Sequence, residues 1–263
     1  MSLEFQKRIV VFIDILGFAA LVTEAAKNPA GDTAKRLSTG LTIIQNLQLH
    51  QKDKVAHKKS TLKDPYAGSD LRLQIFSDSV ILSIIPSPGG MSRLVEQLSI
   101  LFVRLMQHGI YIRGGISHDL ININGNSPCG PAVNTAYYTE ANIAITPRIA
   151  LSKSAVEYCR REAQNIIDGP MLKRDERDGV WLVEVLETGI RHGISDKETF
   201  GSDVQRNLNN ALSAIVDSPK NFAKMKALAE QWNWMCRSNN DQKPFSGEYR
   251  TKGGLLPNKW SKI

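Results

Sequence analysis

The chain has 263 residues, of which 42% are hydrophobic and 22% charged, and this composition is typical of a soluble globular protein with one large or two small domains. The three cysteines are widely spaced and odd in number, which argues against a disulfide framework or a zinc site. The net charge of +7 favours an anionic ligand. Without a helix-turn-helix, zinc finger or aromatic-basic strand motif, we do not expect a nucleic-acid partner. We find no membrane span and no signal peptide, so we expect no membrane partner and a cytoplasmic location.

Two apolar runs, at residues 8–18 and 73–84, are each interrupted by one acid, Asp14 and Asp78. Their content of Val, Ile and Phe predicts buried strands. A buried carboxylate is costly unless its charge is compensated. Two carboxylates held on rigid strands can share divalent cations, which prefer oxygen ligands. For either aspartate alone, a strand-end capping role is the simpler interpretation.

The remaining elements follow from periodicity and from the breaks at Gly and Pro. We predict helices at residues 18–26, 33–50, 91–108, 132–143 and 154–163, and mostly helix from 200 to 234. We predict hairpins at 71–85, with Asp78 at its turn, and at 109–123, and short strands at 149–151 and 179–186. The lysine-rich segment 51–70 is predicted to be an exposed loop. This order predicts an α+β domain with helices on one face of the sheet. We assign residues 1–190 to the main domain and 191–263 to a helical extension of it.

Four blocks carry a family resemblance. FIDILGF holds Asp14, FSDS holds Asp78, IRGGIS holds Arg113, and GPAVNTA holds Asn134 and is followed by PRIALS. In this order, over roughly residues 9–185, they resemble the class III nucleotidyl cyclases. The resemblance implies a ferredoxin-like βαββαβ core, here with additional C-terminal helices. It also implies conversion of a nucleoside triphosphate to a 3′,5′-cyclic monophosphate and pyrophosphate by two-metal catalysis.

Roles for individual residues follow from this chemistry and from the resemblance. Two Mn²⁺ or Mg²⁺ ions per site would be held by Asp14, Asp78 and the backbone carbonyl of Ile15. The triphosphate would be cradled by the amides that begin the first helix, those of Leu16, Gly17 and Phe18.

Arg113 would offset phosphate charge, with Gly114 and Gly115 leaving backbone room for the ligand. In the family, the counterpart of Asn134 orients the ribose from the partner subunit, which implies a homodimer.

The chain departs from the family at Tyr138, where a transition-state arginine is expected. Arg113 or a lysine between residues 52 and 63 could replace it. At the two positions that read the base in the family, this chain has Gln74 and Ser127. They match neither the residue pair usual in adenylate cyclases nor the pair usual in guanylate cyclases. A neutral amide and a hydroxyl can also bind a pyrimidine edge.

In this respect the chain resembles the pyrimidine cyclases of bacterial anti-phage defence, which make cyclic UMP or cyclic CMP for a separate effector protein. We favour UTP, with a pocket narrowed by Tyr137, Tyr138 or Phe76. Cytidylate cyclase, purine cyclase and a catalytically weak nucleotide-binding domain remain alternatives.

Overall fold

The computed structural model describes residues 3–56, 70–122, 128–215 and 217–238, and for residues 48–56 and 237–238 it describes the backbone only. Within these ranges, no helix combines the length and the hydropathy needed to cross a bilayer. All three cysteines are free.

The strands are β1 (Phe5–Ile15), β2 (Arg72–Phe76), β3 (Ser79–Ile84), β4 (Ile112–Asn122), β5 (Ile149–Leu151), β6 (Leu172–Arg174) and β7 (Trp181–Val183). Across the described chain they form one seven-stranded sheet in the order β2-β3-β1-β4-β5-β7-β6. The interior strand β1 runs antiparallel to both β3 and β4, whereas β4 and β5 are parallel. The mixed α+β fold predicted from the sequence is confirmed.

The helices are α1 (Phe18–Lys27), α2 (Asp32–Ala56), α3 (Pro88–Gln107), α4 (Pro131–Asn142), α5 (Lys153–Glu162), α6 (Gln164–Ile167), α7 (Val185–Gly193), α8 (Lys197–Ala214) and α9 (Pro219–Ser238). Most of the predicted elements are confirmed, with shifts of a few residues at their ends. Helix α2 continues to Ala56, so the predicted loop does not begin at residue 51, and residues 57–69 of that loop lie outside the described residues.

The alternation of side chains along β1 divides the interior into two layers. Ile9, Val11 and Ile13 face the main core, which includes the apolar face of α3. Val10 faces the opposite side of the sheet, in a smaller cluster with Ala132 of α4. Because successive strand residues point to opposite faces, Asp14 lies on the same side as Val10 and α4. The sheet therefore has helices on both faces, and the expectation of helices on one face is wrong.

Two local predictions also differ from the structure. The hairpin predicted at 109–123 is not found in its described part, because β4 runs without a turn from Ile112 to Asn122. It passes through Ser117, whose hydroxyl donates to the Ala132 carbonyl at 2.6 Å. The strand predicted at 179–186 ends at Val183, and the next residues begin α7, which was not predicted. Gly189 of α7 lies so close to α3 that a Cβ atom would be 2.3 Å from the Ser99 carbonyl oxygen.

The C-terminal helices pack on the same core as the sheet. Phe200 and Leu208 of α8 and Trp232 of α9 are fully buried and belong to the cluster that contains β1 and α3. The rings of Phe200 and Trp232 meet edge to face, with centroids 6.0 Å apart. Burial of these large side chains holds α8 against α3, and α9 against α7 and α8.

Candidate active site

The two aspartates lie on neighbouring strands at one end of the sheet. Asp14 is opposite Ser79 in the register of β1 with β3, and the Ile15 amide donates to the Asp78 carbonyl at 3.0 Å. The β2–β3 hairpin turns at Ser77 and Asp78, and Ser77 has a positive φ of 52°. The structure thus brings together the segments that bear Asp14, Ile15 and Asp78, and places Asp78 at the predicted turn.

The connection from β1 to α1 forms a helix N-terminus beside Asp14. Gly17 is the N-cap and has φ 72°, a left-handed conformation that a residue with a side chain adopts only at a cost. Within the described chain, the amides of Gly17 and Phe18 have no hydrogen-bond acceptor, and a helix N-terminus can bind phosphate. The Leu16 amide was also predicted to bind phosphate, but it is not available, because it donates to the Tyr111 carbonyl at 2.8 Å and extends the β1–β4 pairing.

Arg113 lies between two carboxylates. Its Nε donates to Oδ2 of Asp14 at 3.1 Å. The same Nε lies 2.6 Å from Oε1 of Glu140, and this contact is an ion pair that lacks the alignment of a hydrogen bond. The side chain of Glu140 is 2% exposed, and its burial raises its pKa to about 7, against the opposing effect of Arg113. Arg113 therefore neutralises an acid on each side.

Glu140 was not singled out from the sequence, although a signal was present. It is one turn beyond Ala136 and two turns beyond Ala132, both of which are buried against the sheet. A carboxylate that continues a buried stripe of small residues at a spacing of four needs a cationic partner. Only the tertiary structure identifies that partner as Arg113.

The room that Gly115 leaves on β4 is taken by α4 and not by a ligand. A Cβ atom at Gly115 would lie 2.2 Å from the Ala136 carbonyl oxygen and 2.7 Å from the Glu140 amide nitrogen. Gly114 points to the opposite face, where a Cβ atom would be 3.0 Å from the Phe12 carbonyl oxygen. The expectation that these glycines make space for a substrate is wrong, because backbone already fills the space next to each of them.

A cavity of about 650 Å³ lies next to Asp14. Of the predicted residues, Asp14, Leu16, Gly17 and Arg113 line it. Its other walls come from α1, α2, α8 and α9 and include Arg36, Asn207, Asn221 and Lys224. The contribution of α8 and α9 was not predicted, because sequence patterns do not indicate where distant helices pack.

The donor set suits a hard divalent cation with few protein ligands. The described residues contain no cluster of three or more His, Cys, Asp or Glu side chains able to hold a metal. Asp14 and Asp78, with the Ile15 carbonyl, offer oxygen ligands only. Mg²⁺ commonly takes one or two carboxylates and fills its other positions with water and substrate phosphates. The residues present therefore fit Mg²⁺ or Mn²⁺ bound together with a polyphosphate.

The other predicted residues do not meet Asp14 within the chain. Asn134 and Tyr138 are exposed on one face of α4, and Tyr138 is 61% exposed. The Tyr137 ring packs edge to face on Phe12, with centroids 5.3 Å apart. Gln74 and Phe76 are on β2, the edge strand of the sheet, on the same face as Asp14. Ser127 lies outside the described residues, as does the part of the 52–63 lysine segment beyond Ala56.

An ion-pair network fixes the strand that borders Arg113. The Arg148 carbonyl accepts from the Gly114 amide at 3.0 Å, and the Arg148 guanidinium contacts Asp175 at 3.3 Å and the Ile143 carbonyl at 2.6 Å. Hydrogen bonds from Arg177, chiefly from its side chain, together with the Arg148 charge, hold the pKa of Asp175 at about 2. The network therefore ties the entry to β5 to the β6–β7 connection.

No protein-family model and no curated protein matched the sequence. Solved structures that are similar include a bacterial light-regulated adenylyl cyclase, at 14% identity and a TM-score of 0.45, over 76% of this chain and 58% of that one. The monomeric guanylyl cyclase domain of the RhoGC fusion protein from the aquatic fungus Blastocladiella emersonii has 14% identity and a TM-score of 0.41, over 70% and 98% of the two chains. A class III adenylyl cyclase-like ATP-binding protein from Pseudomonas aeruginosa has 11% identity and a TM-score of 0.42, over 73% and 41%. The chain thus spans little more than half of the first of these proteins.

Proposed function

We propose that the chain is a nucleotidyl cyclase of the class III type that converts a nucleoside triphosphate, with UTP favoured, to a 3′,5′-cyclic monophosphate and pyrophosphate. The observation that carries this proposal is the placement of Asp14 beside the Asp78 turn and next to a helix N-terminus, at a cavity that also contains Arg113. A carboxylate, free amides and cations at one cavity, with a second aspartate on the adjacent turn, are what a metal-bound triphosphate requires.

Asp14 and Asp78 would hold two Mg²⁺ or Mn²⁺ ions, with the Ile15 carbonyl as a further ligand. When bound, the ions supply charge neutralisation at the phosphates and acidify the attacking 3′ hydroxyl. The Gly17 and Phe18 amides would bind phosphate oxygens.

Glu140 gives Arg113 a second partner. In this structure Arg113 bonds Asp14, the proposed metal ligand, and an arginine so bound competes with a cation for the carboxylate. Since Arg113 also pairs with the buried Glu140, it can release Asp14 without becoming unpaired. Glu140 therefore acts as a positioning residue that keeps Arg113 next to the phosphates.

The base and ribose would bind at the exposed part of the same sheet face. Gln74 and Phe76 on β2 would border the base together with the Phe12–Tyr137 pair. The aromatic rings of these residues would narrow the pocket to the size of a pyrimidine. Asn134 would orient the ribose of the other subunit in a homodimer related by a two-fold axis. We place the product, cyclic UMP, in anti-phage signalling through a separate effector protein, on the sequence resemblance alone.

The test is incubation of the purified protein with ATP, GTP, CTP and UTP separately in the presence of Mn²⁺, followed by mass analysis of the products. We expect cyclic UMP from UTP, and loss of at least about a thousandfold of the rate in D14A and in D78A, because each removes a metal ligand. The matched control is D119A, which removes an aspartate at the other end of the β1–β4 pair and should retain activity. Normal turnover in D14A or D78A contradicts the two-metal proposal. If the protein cyclises CTP, ATP or GTP faster than UTP, the assignment of UTP is wrong but the cyclase activity stands.

A nucleotide-binding domain of low activity is the second candidate. Two observations favour it: Tyr138 occupies the position of a transition-state arginine, and Asp14 is bonded to Arg113. It predicts UTP binding, measured by calorimetry, without cyclic product from any of the four nucleotides.

A further inference from the structure

The C-terminal helices bring a cation to the proposed site. Lys224 of α9 lines the same cavity as Asp14, Gly17 and Arg113, together with Asn221 of α9 and Asn207 of α8. Helix α9 is fixed in this position because Trp232 and its neighbours are buried in the main core. The four sequence blocks of the resemblance all end before residue 190, so they give no role to this lysine.

Among the described residues, three cations line the cavity, and they differ in how their charge is already used. Arg36 donates to the carbonyls of His108 and Gly109, at 2.9 and 2.8 Å. Arg113 pairs with two carboxylates. Among the side chains that the structure describes, Lys224 has neither a hydrogen-bond acceptor nor an ion-pair partner, although it is partly buried. Of the described cations at this cavity, Lys224 is therefore the one whose charge is left for a ligand.

The surroundings of Lys224 favour an added anion. Burial, followed by repulsion from Arg113 and Lys220, lowers its pKa, and the weaker attraction of Asp14 and Glu140 only partly offsets this. An anionic ligand between Lys224 and Arg113 would relieve that repulsion. A lysine ammonium is a compact charge with three donors and binds phosphate oxygens well.

We propose that Lys224 binds the triphosphate of the substrate, so that the C-terminal extension completes the active site within the same chain. The proposal rests on the proposed function and deepens it. It gives the site a phosphate-facing cation that the exposed Tyr138 cannot supply. Because Lys224 comes from α9, any movement of α8 and α9 changes the charge at the phosphates.

The test measures the binding of inorganic tripolyphosphate with Mg²⁺ by calorimetry, for the full chain and three variants. K224A should bind about tenfold to a hundredfold more weakly, which is the range for loss of a hydrogen bond between charged groups. K224R keeps the charge and should bind within a few-fold of the unmodified chain. The matched control is K226A on the same helix, because Lys226 does not line the cavity and its Nζ lies 3.9 Å from Oε1 of Glu230. It should bind normally.

Several outcomes overturn the proposal: no binding of tripolyphosphate by the unmodified chain, equal binding by K224A and K226A, or no recovery in K224R. Turnover of UTP measured in parallel should show a lower kcat/KM in K224A and not in K226A. The absence of cyclic product from all four nucleotides would remove the proposed function, whereas tripolyphosphate binding would still decide the role of Lys224.

Discussion

Substitution of Gly115 by alanine tests how α4 is held against β4. The added Cβ atom would lie 2.2 Å from the Ala136 carbonyl oxygen, 2.7 Å from the Glu140 amide nitrogen and 2.8 Å from the Thr139 Cβ atom. Two of these three atoms are backbone, so no side-chain rotation relieves the overlap. The helix must move by roughly 1 Å before the contacts approach a normal separation of about 3.5 Å.

Such overpacking costs about 1–3 kcal/mol of unfolding free energy, which for a chain of this size lowers the melting temperature by about 3–10 °C. The assay is thermal unfolding followed by circular dichroism. The matched control is G114A on the next residue, where the nearest atom would be the Phe12 carbonyl oxygen at 3.0 Å. G114A should lose less unfolding free energy than G115A, because a shift of a few tenths of an ångström between the two strands relieves its contact.

The movement of α4 also carries Glu140 away from Arg113, so G115A should lose cyclase activity along with stability. If G115A melts at the same temperature as the unmodified chain while its affinity for nucleoside triphosphate falls, α4 does not pack tightly on Gly115. In that case the glycine would serve ligand space, as the sequence suggested.

Three further predictions follow from the site and the core. Mixing D14A with N134A chains should restore up to about a quarter of the normal activity if each site is built from both subunits, because a mixed dimer then contains one intact site. No recovery of activity, with chain exchange confirmed by native mass spectrometry, would contradict these composite sites. The pKa of Asp175 is lowered from 3.8 to about 2, so its ionised form contributes ~2 kcal/mol to the free energy of unfolding above pH 4. This contribution is lost as the pH falls toward 2. Urea unfolding of D175N should therefore show a deficit at pH 7 that shrinks below pH 4, and a pH-independent deficit would contradict this. W232A should lose about 3–5 kcal/mol in one cooperative transition with the sheet, and separate melting of α8 and α9 would contradict a shared core.

The sequence was sufficient for features that depend on neighbouring residues. The apolar runs around Asp14 and Asp78 predicted strands, and Asp78 was predicted at the turn of a hairpin, because strand and turn preferences act over a few residues. The breaks at Gly17 and Pro131 likewise marked the start of α1 and α4. The catalytic roles of Asp14 and Asp78 remain predictions, although their adjacency is now a structural observation.

Local sequence patterns did not predict strands that form because they pair with another strand. A hairpin was predicted at residues 109–123, but β1 extends back to Phe5 and pairs with β4 along its whole length. The short strand β6 has three residues, too few for a periodic signal, and is stabilised by pairing with β7.

The charge arrangement of the site was likewise decided by packing. Arg113 lies between Asp14 and Glu140 because Gly115 lets α4 approach β4, and Lys224 reaches the cavity because Trp232 fixes α9 on the core. These contacts join residues far apart in the chain, and their energies depend on distance and burial, which no local pattern encodes. The sequence determined which residues could bind a metal-bound triphosphate, and the packing of α4 and α9 decided which charges surround it.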